Sequence, residues 1–394
     1  MLALEEAQER VFSLVSTMGS ETIPVEESQG RYLVNDLLAV RTQPPANLSA
    51  MDGYAIGFAD ETKGPWTLVG ESRAGTPYGG VVNSGEAVRI STGAHVPAGA
   101  DRILIQENVE ANGPDITCAQ DYPAQGRHIR FAGFDFAAGD MVLPDGTAMG
   151  SAQIALAITA GHATVTVAKC PIVAVLDSGD ELVADPANCG PHQIPASNGA
   201  MIAALVRSLG CKVIRLGPVP DDRYALAEAL VKAEGADFLV TTGGASVGNH
   251  DLMQPALEQW GANLDFWKVA MKPGKPVMVG KRGDQMIFGL PGNPVSSYVT
   301  AFLFVLPALR KAMNAAAPLP RMALIPAGET LPGIGSRREF LRAIWDGQSV
   351  KPGDSQDSSA LRALATANCL VHRPAHAAEV LAGEPVPVFL LENG

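Results

Sequence analysis

The chain opens on an apolar stripe at helical spacing. In "MLALEEAQERVFSLVSTMG", Leu4, Val11, Leu14, Val15 and Met18 recur on one face, with charged residues between them. Residues 22–145 lose that period. Short β-prone pieces, "WTLVG", "EAVRI" and "DRILIQENVE", alternate with turn-rich "AGTPYGG", "TGAHVPAGAD" and "LPDGT". That alternation predicts an all-β module of short strands. "SAQIALAITAG", 151–161, predicts a helix ending at Gly161 and lying beside the first one, and "ATVTVAK" a strand. From 170 onward, apolar runs such as "PIVAVLDSGDEL", "CKVIRLGPVPDD", "ADFLVTTGG", "NLDFWKVAM" and "QMIFGLPGNP" alternate with helix-period segments. The last of these segments, "VSSYVTAFLFVLPALRKAM", is apolar nearly throughout. Such alternation predicts a parallel sheet covered on both faces. Ser197 or Asn198 is expected to cap the helix that stops at Gly210. "AAAPLPRMALIPAGET" reads as a linker, and the β-prone remainder, with one short helix in "SSALRALATA", as a small barrel-like domain.

The fold class expected is therefore multidomain α/β plus β. A central doubly wound parallel-sheet domain (170–316) follows an N-terminal helical linking domain (1–25 with 146–169) and a β-rich domain (26–145), and precedes a C-terminal β domain (328–394).

Composition narrows the function more than the fold. The 394 residues carry 29 basic and 41 acidic side chains, a net charge of −12. That argues against a nucleic-acid or anionic-membrane surface, which needs clustered Lys and Arg. A small anionic ligand needs only a few local cations and stays open. Five scattered cysteines with no CxxC read as reduced thiols. His372 and His376 are separated by a proline, so no shared helix face and no zinc site is expected there. The first residues lack the basic start of a signal peptide, and the longest apolar run, Val299 to Leu309, falls short of the ~20 residues that span a bilayer. A cytoplasmic protein is expected.

In an open α/β sheet, ligands sit beyond the carboxyl ends of the strands. Here those ends carry Asp177, Asp180 and Glu181; Asp221 and Asp222; and "TTGGASVGNHDL" with Gly243, Gly244, Ser246, Gly248 and Asp251. They also carry "KPGKP", with Lys272 and Lys275 after Lys268, and "GLPGNP", with Pro291 and Pro294. Each piece alone reads as an ordinary loop or capped helix start. Together, carboxylates and lysines on one rim suit Mg²⁺ and a phosphate-bearing ligand. Carboxylates hold a hard cation through oxygen, lysines neutralise phosphate, and glycine amides cradle it. No P-loop or dinucleotide fingerprint is present. Two stretches stay outside this account. "NLSAMDGYAI" reads as a turn at Asp52-Gly53, and "STGAHVPAGAD", with Thr92, as a loop.

Taken in order, "SAMDGYA", "TGAHVPAGAD" followed by "QE", "DSGDEL", "TTGGASVGNHDL", "FWKVAMKPGKP" and "GLPGNPVS" resemble the molybdopterin molybdenumtransferases, the MoeA and gephyrin E-domain type. The resemblance covers essentially the whole chain. It implies insertion of molybdenum from molybdate into adenylylated molybdopterin, with Mg²⁺-dependent release of AMP, by a four-domain homodimer. Its site would lie between the α/β domain of one subunit and the "SAMDGYA" module of the other. Glu181, Asp221, Asp222 and Asp251 would serve the metal. Lys268, Lys272 and Lys275 would bind phosphate or molybdate, and the Gly243, Gly244, Ser246 and Gly248 loop would admit the ligand. Pro291 and Pro294 would shape the floor, and Asp52 and Thr92 would reach in from the partner. Of Ser355, Ser358 and Ser359, the reading leans to Ser359 as the family's serine. Ala196 and Phe134 stand where relatives usually carry acids. A molybdopterin adenylyltransferase and recipient molybdoenzymes are the further partners implied. Two rival readings remain. An adenylyltransferase-like enzyme shares the α/β unit but normally lacks the flanking modules, and a non-catalytic carrier would bind the pterin without turnover.

Overall fold

A computed structural model describes residues 1–57, 64–118, 123–243 and 252–391. Eight α-helices fall within the described residues: α1 (Leu4–Leu14), α2 (Ser151–Thr159), α3 (Asn198–Arg207), α4 (Arg223–Lys232), α5 (Met253–Gln259), α6 (Pro294–Thr300), α7 (Leu306–Ala312) and α8 (Leu361–Thr366).

The central domain is a six-stranded sheet. Its strands in chain order are β1 (Ile172–Ser178), β2 (Lys212–Val219), β3 (Phe238–Thr242), β4 (Asn263–Lys268), β5 (Pro276–Arg282) and β6 (Gln285–Leu290); in space they run β2-β1-β3-β6-β5-β4. Strands β2, β1, β3 and β6 are parallel, and all but the edge strand β2 are apolar on both faces, as expected. The sheet then departs from a purely parallel design. Strand β5 returns to β6 through the tight Gly283-Asp284 turn and pairs antiparallel, and β4 adds on antiparallel beyond it. "PVMVGKR" starts on a proline and ends on charges, which hid its strand character in the sequence. One face of the sheet packs Val173, Val175, Val240 and Phe288 into a large core, and the other packs Ala174, Leu176, Leu239 and Ile287 against the α4 and α5 side.

The long apolar helix runs unbroken, as expected, but a π-turn separates its α6 and α7 stretches. Pro307 has no N–H to offer and its ring crowds the preceding turn. The chain widens by one residue over Ala301–Val305, where Leu306 N–H bonds to Ala301 O, and then resumes as α7. Helix α1 also sits elsewhere than expected. Its buried Leu4, Ala7 and Val11 join the central core, and Gln8 donates to Leu303 O at 2.9 Å. Helix α2 belongs to a separate cluster with Val25, Leu33, Leu143 and Val167, where strand Ser20–Pro24 pairs with Thr164–Ala168.

The β-rich module is a sheet ordered 102–105, 53–56, 86–90, 66–72, 115–118, 109–112. The Asp52-Gly53 pair makes no hairpin turn. Gly53 instead begins the strand lying between two neighbours, and a Cβ there would fall 1.8 Å from Leu104 O. Close backbone approach, more than turn geometry, demands that glycine.

The C-terminal strands Met322–Pro326, Pro385–Leu390, Cys369–Arg373, Arg338–Trp345 and Val350–Pro352 pair in that order. Gly328 N donates to Val350 O at 2.8 Å and closes the ring, so the domain is a small barrel. A sixth short strand, Met271–Lys272, comes from the central domain and pairs parallel with Arg338–Glu339. His372 of the barrel is 8% exposed, stacks on Phe340 at 5.3 Å, and has no partner for either ring nitrogen. Burial, helped by nearby Arg338, pulls its pKa from 6.5 to about 4, with Glu5 opposing. The neutral ring therefore contributes stability that is complete above pH 6.5 and is lost as pH falls through about 4. His372→Phe should flatten the acid limb. Its unfolding free energy is expected to fall roughly 3 kcal/mol less than the unaltered chain's between those limits. Parallel acid-denaturation curves would argue against the burial account.

Candidate functional site

A cleft of about 1100 Å³ lies at the carboxyl ends of β1, β3 and β6 and is closed on its other side by the barrel. Five segments of the central domain line it: the β1 end with Asp177, Ser178 and Glu181; residues 194–198; the β3 end with Thr242 and Gly243; the Met271–Pro276 loop; and the Pro291–Pro294 turn with Ser296. The barrel contributes Arg337, Gln356–Ser359 and Leu361. The pairing of Met271–Lys272 with Arg338–Glu339 fixes the lysine loop against the barrel, and Lys272 Nζ lies 3.2 Å from Glu339 Oε1.

Several predicted residues meet here: Glu181, Gly243, Lys272, Lys275, Pro291, Pro294 and Ser359. Lys275 is exposed and has no ion pair among the described residues. Ser358 lines the cleft beside Ser359, whereas Ser355 does not. Ser358 O accepts from Val295 N at 3.0 Å, and Ser359 donates from N and Oγ to Asp357 at 2.8 and 2.6 Å. Arg342, 1% exposed, underlies that loop and donates to the carbonyls of Ser355 and Asp357, both at 3.0 Å.

Other predicted residues stand apart from the lining. Asp221 N donates to Asp180 Oδ1 at 2.9 Å, so Asp180, Glu181 and Asp221 gather at one edge. Partial burial, with the like charges of Asp180 and Glu181, holds the Asp221 carboxyl above its ordinary range. Asp222 differs from the expectation. Its Oδ1 accepts from Tyr224 N and Ala225 N at 2.9 and 3.0 Å, which makes it the N-cap of α4. Lys268 ends β4, exposed and outside the lining. Gly244, Ser246, Gly248 and Asp251 lie outside the described residues. Asp52 and Thr92 come together in the β-rich module, away from this lining, with Thr92 N donating to Asp52 Oδ1 at 2.6 Å.

The start of α3 also differs from the sequence reading. Ser197 makes no side-chain cap bond. The donor Gly199 N goes instead to Asp177 Oδ1 at 2.7 Å, across from β1. Asn198 Nδ2 donates to Gly292 O at 2.6 Å and ties α3 to the Pro291–Pro294 turn. Sequence reasoning missed Arg337, Arg342, Gln356 and Asp357 as site residues, because each sits in a stretch whose place beside the cleft depends on barrel closure; Asn293 lay inside the "GLPGNP" motif but was not itself named. The first residues of α3 and α6 both border the cleft, but their N–H groups are largely engaged: Gly199 N by Asp177, Val295 N by Ser358 O, and Pro294 has none.

The arrangement suits an elongated anionic ligand. Lys272, Lys275 and Arg337 supply positive charge, and the acids at one edge supply oxygen for a hard cation. Among the described residues, no three acidic, His or Cys groups stand close enough to hold a metal by themselves. The donor set fits Mg²⁺, which takes one or two carboxylates and completes its shell with ligand phosphate and water.

Three family models match consecutive parts of the chain: the MoeA N-terminal region (domain I and II) over 2–161, the probable molybdopterin binding domain over 174–311, and the MoeA C-terminal region (domain IV) over 325–391. The molybdopterin molybdenumtransferase of Haemophilus influenzae is 32% identical over 398 residues, covering 98% of both chains. Molybdopterin molybdenumtransferase 2 of Mycobacterium tuberculosis is 34% identical over 406 residues, covering 99% of both. The crystal structure of the molybdopterin biosynthesis moeA protein from Pyrococcus horikoshii OT3 superposes with a TM-score of 0.85 at 26% identity, over 99% of this chain and 100% of that one.

Proposed function

Because this chain belongs to the molybdopterin molybdenumtransferase family, we propose a mechanism in which the cleft takes adenylylated molybdopterin and molybdate and releases AMP. The activity is transfer of molybdenum to molybdopterin in molybdenum cofactor biosynthesis. The observation that carries the finer reading is one cleft edged by acids at Glu181 and Asp221 and lined by lysines at Lys272 and Lys275.

In this reading Lys272, Lys275 and Arg337 neutralise phosphate and molybdate oxygens. Glu181 and Asp221 would hold Mg²⁺, with Asp251 as the third acid assigned by resemblance. Bound there, the ion would polarise the phosphoanhydride and stabilise the departing AMP. The raised Asp221 carboxyl agrees with acids crowded at a place that a cation would relieve. Asp222, already capping α4, is assigned the helix alone.

Asp52 and Thr92 have no counterpart in the lining of their own chain's cleft. They are assigned to the partner's cleft in a homodimer. Exposed Leu38, Val40, Met141 and Ile158 of the N-terminal module leave apolar surface for a second copy to cover. A cytoplasmic location accords with the absence, among the described residues, of any helix long and apolar enough to cross a membrane. A molybdopterin adenylyltransferase as supplier and molybdoenzymes as recipients complete the proposed partners.

The test is AMP release by the purified protein given adenylylated molybdopterin, molybdate and Mg²⁺. Release that needs both additions supports the reading, whereas tight binding without release would replace it with a carrier. Lys275→Ala should weaken ligand binding about tenfold near 0.02 M salt and only about twofold near 0.5 M, since an exposed charge is screened. Equal losses at both salts would assign Lys275 a structural role.

A further inference from the structure

Asp177 is the last residue but one of β1, and its side chain is 1% exposed beneath the cleft. Three donors converge on it. Gly199 N and Thr242 Oγ1 reach Oδ1 at 2.7 and 2.5 Å, and Arg215 Nη2 reaches Oδ2 at 2.7 Å. The first two donors begin α3 and end β3, so one carboxylate joins three strand and helix ends that border the cleft. Arg215 lies outside that lining. It stands on edge strand β2, 30% exposed, and borders a separate cavity of about 320 Å³. Its Nε is buried without a partner.

A carboxylate under a phosphate-binding cleft is an electrostatic liability. At short range like charges repel, the more strongly where one of them is buried. The neighbouring cation removes that repulsion from a position where it cannot itself touch the ligand. We propose that Asp177 and Arg215 form a charge-neutral floor of the cleft, in which Arg215 is a positioning residue that sets anion affinity through Asp177. The inference rests on the reading that the cleft takes a phosphate-bearing ligand. It assigns to Arg215 an effect on binding without contact, and it gives the two partners opposite signs.

Calorimetric titration with two probes, adenylylated molybdopterin with Mg²⁺ and inorganic pyrophosphate, tests this. Arg215→Met exposes the ligand to an unpaired carboxylate, and both probes should bind about tenfold more weakly. Asp177→Asn keeps an acceptor for Gly199 N and Thr242 but leaves Arg215 uncompensated, and binding should hold or tighten up to about threefold. The double variant Asp177→Asn/Arg215→Met should return to within about twofold of the unaltered chain. If both single variants weaken binding and the double is weaker still, the pair is only scaffold and the proposal fails. Should Arg215→Met not fold, Arg215→Lys decides with Asp177→Asn. Retained charge should keep affinity within about threefold, and a tenfold loss overturns the proposal. Failure of the unaltered chain to bind adenylylated molybdopterin, with pyrophosphate still bound, would sink the functional reading alone. Failure to bind either probe would sink both.

Discussion

A chain carrying Asp52→Ala folds, binds the nucleotide ligand and releases AMP at least about 100-fold more slowly. Its exposed carboxylate accepts one hydrogen bond, from Thr92 N, so stability should change by no more than about 1 kcal/mol. The decisive version mixes this variant with Glu181→Ala. Asp52 and Glu181 belong to different modules, and each variant alone lacks one half of every composite site. In a mixed dimer, one of the two sites receives Asp52 from one subunit and Glu181 from the other. An equal mixture, half of it mixed dimers, should recover about a quarter of full activity. Recovery indistinguishable from zero would place Asp52 in a site within its own chain, or in none.

The second large effect is on folding. Gly199 is buried at the start of α3, and a Cβ there would stand 2.1 Å from Asp177 Oδ2. That oxygen cannot swing aside, because Arg215 holds it and the neighbouring Oδ1 carries two further bonds. Gly199→Ala must therefore push α3 away from β1, breaking a helix-start bond and loosening a buried ion pair. The expected loss is about 3 kcal/mol, combining overpacking with a disturbed buried carboxylate. By the usual scaling this lowers the midpoint of the central transition by roughly 10 °C. Gly335→Ala, with no atom near its Cβ and no left-handed backbone, serves as the control and should stay within about 0.5 kcal/mol. Equal midpoints for the two variants would show that α3 adjusts freely.

Sequence pattern showed the central domain because strands β1, β3 and β6 are apolar on both faces and end in Gly, Asp or Pro loops. It hid β5, whose Pro276 start and Lys281-Arg282 end look like loop. The rim acids and lysines were legible because their residue types are costly to gather without a charged ligand. Their division of labour was not. Asp221 and Asp222 are neighbours in sequence, yet one crowds Asp180 and the other caps a helix. Arg215 looks like an ordinary solvated edge residue until its bond to buried Asp177 is seen. The barrel's contribution was the least visible, since Arg337 and Gln356 reach the cleft only after strands far apart in sequence close a ring.

The hydrophobic clusters divide the molecule in a way its chain order does not suggest. Helix α1, the central sheet, α6, α7 and barrel residues Phe340, Leu370 and Phe389 share one continuous core. The sheet bearing Asp52 has two small cores of its own, built around Ile56 and Trp66 and around Ala55 and Ile103. Exchange between homologues should follow that seam. A chimera that transplants the β-rich module keeps every large core intact and carries over half of the proposed composite site as a unit. A cut between the central domain and the barrel would lay open aromatic surface on both fragments, so the two are heritable only together.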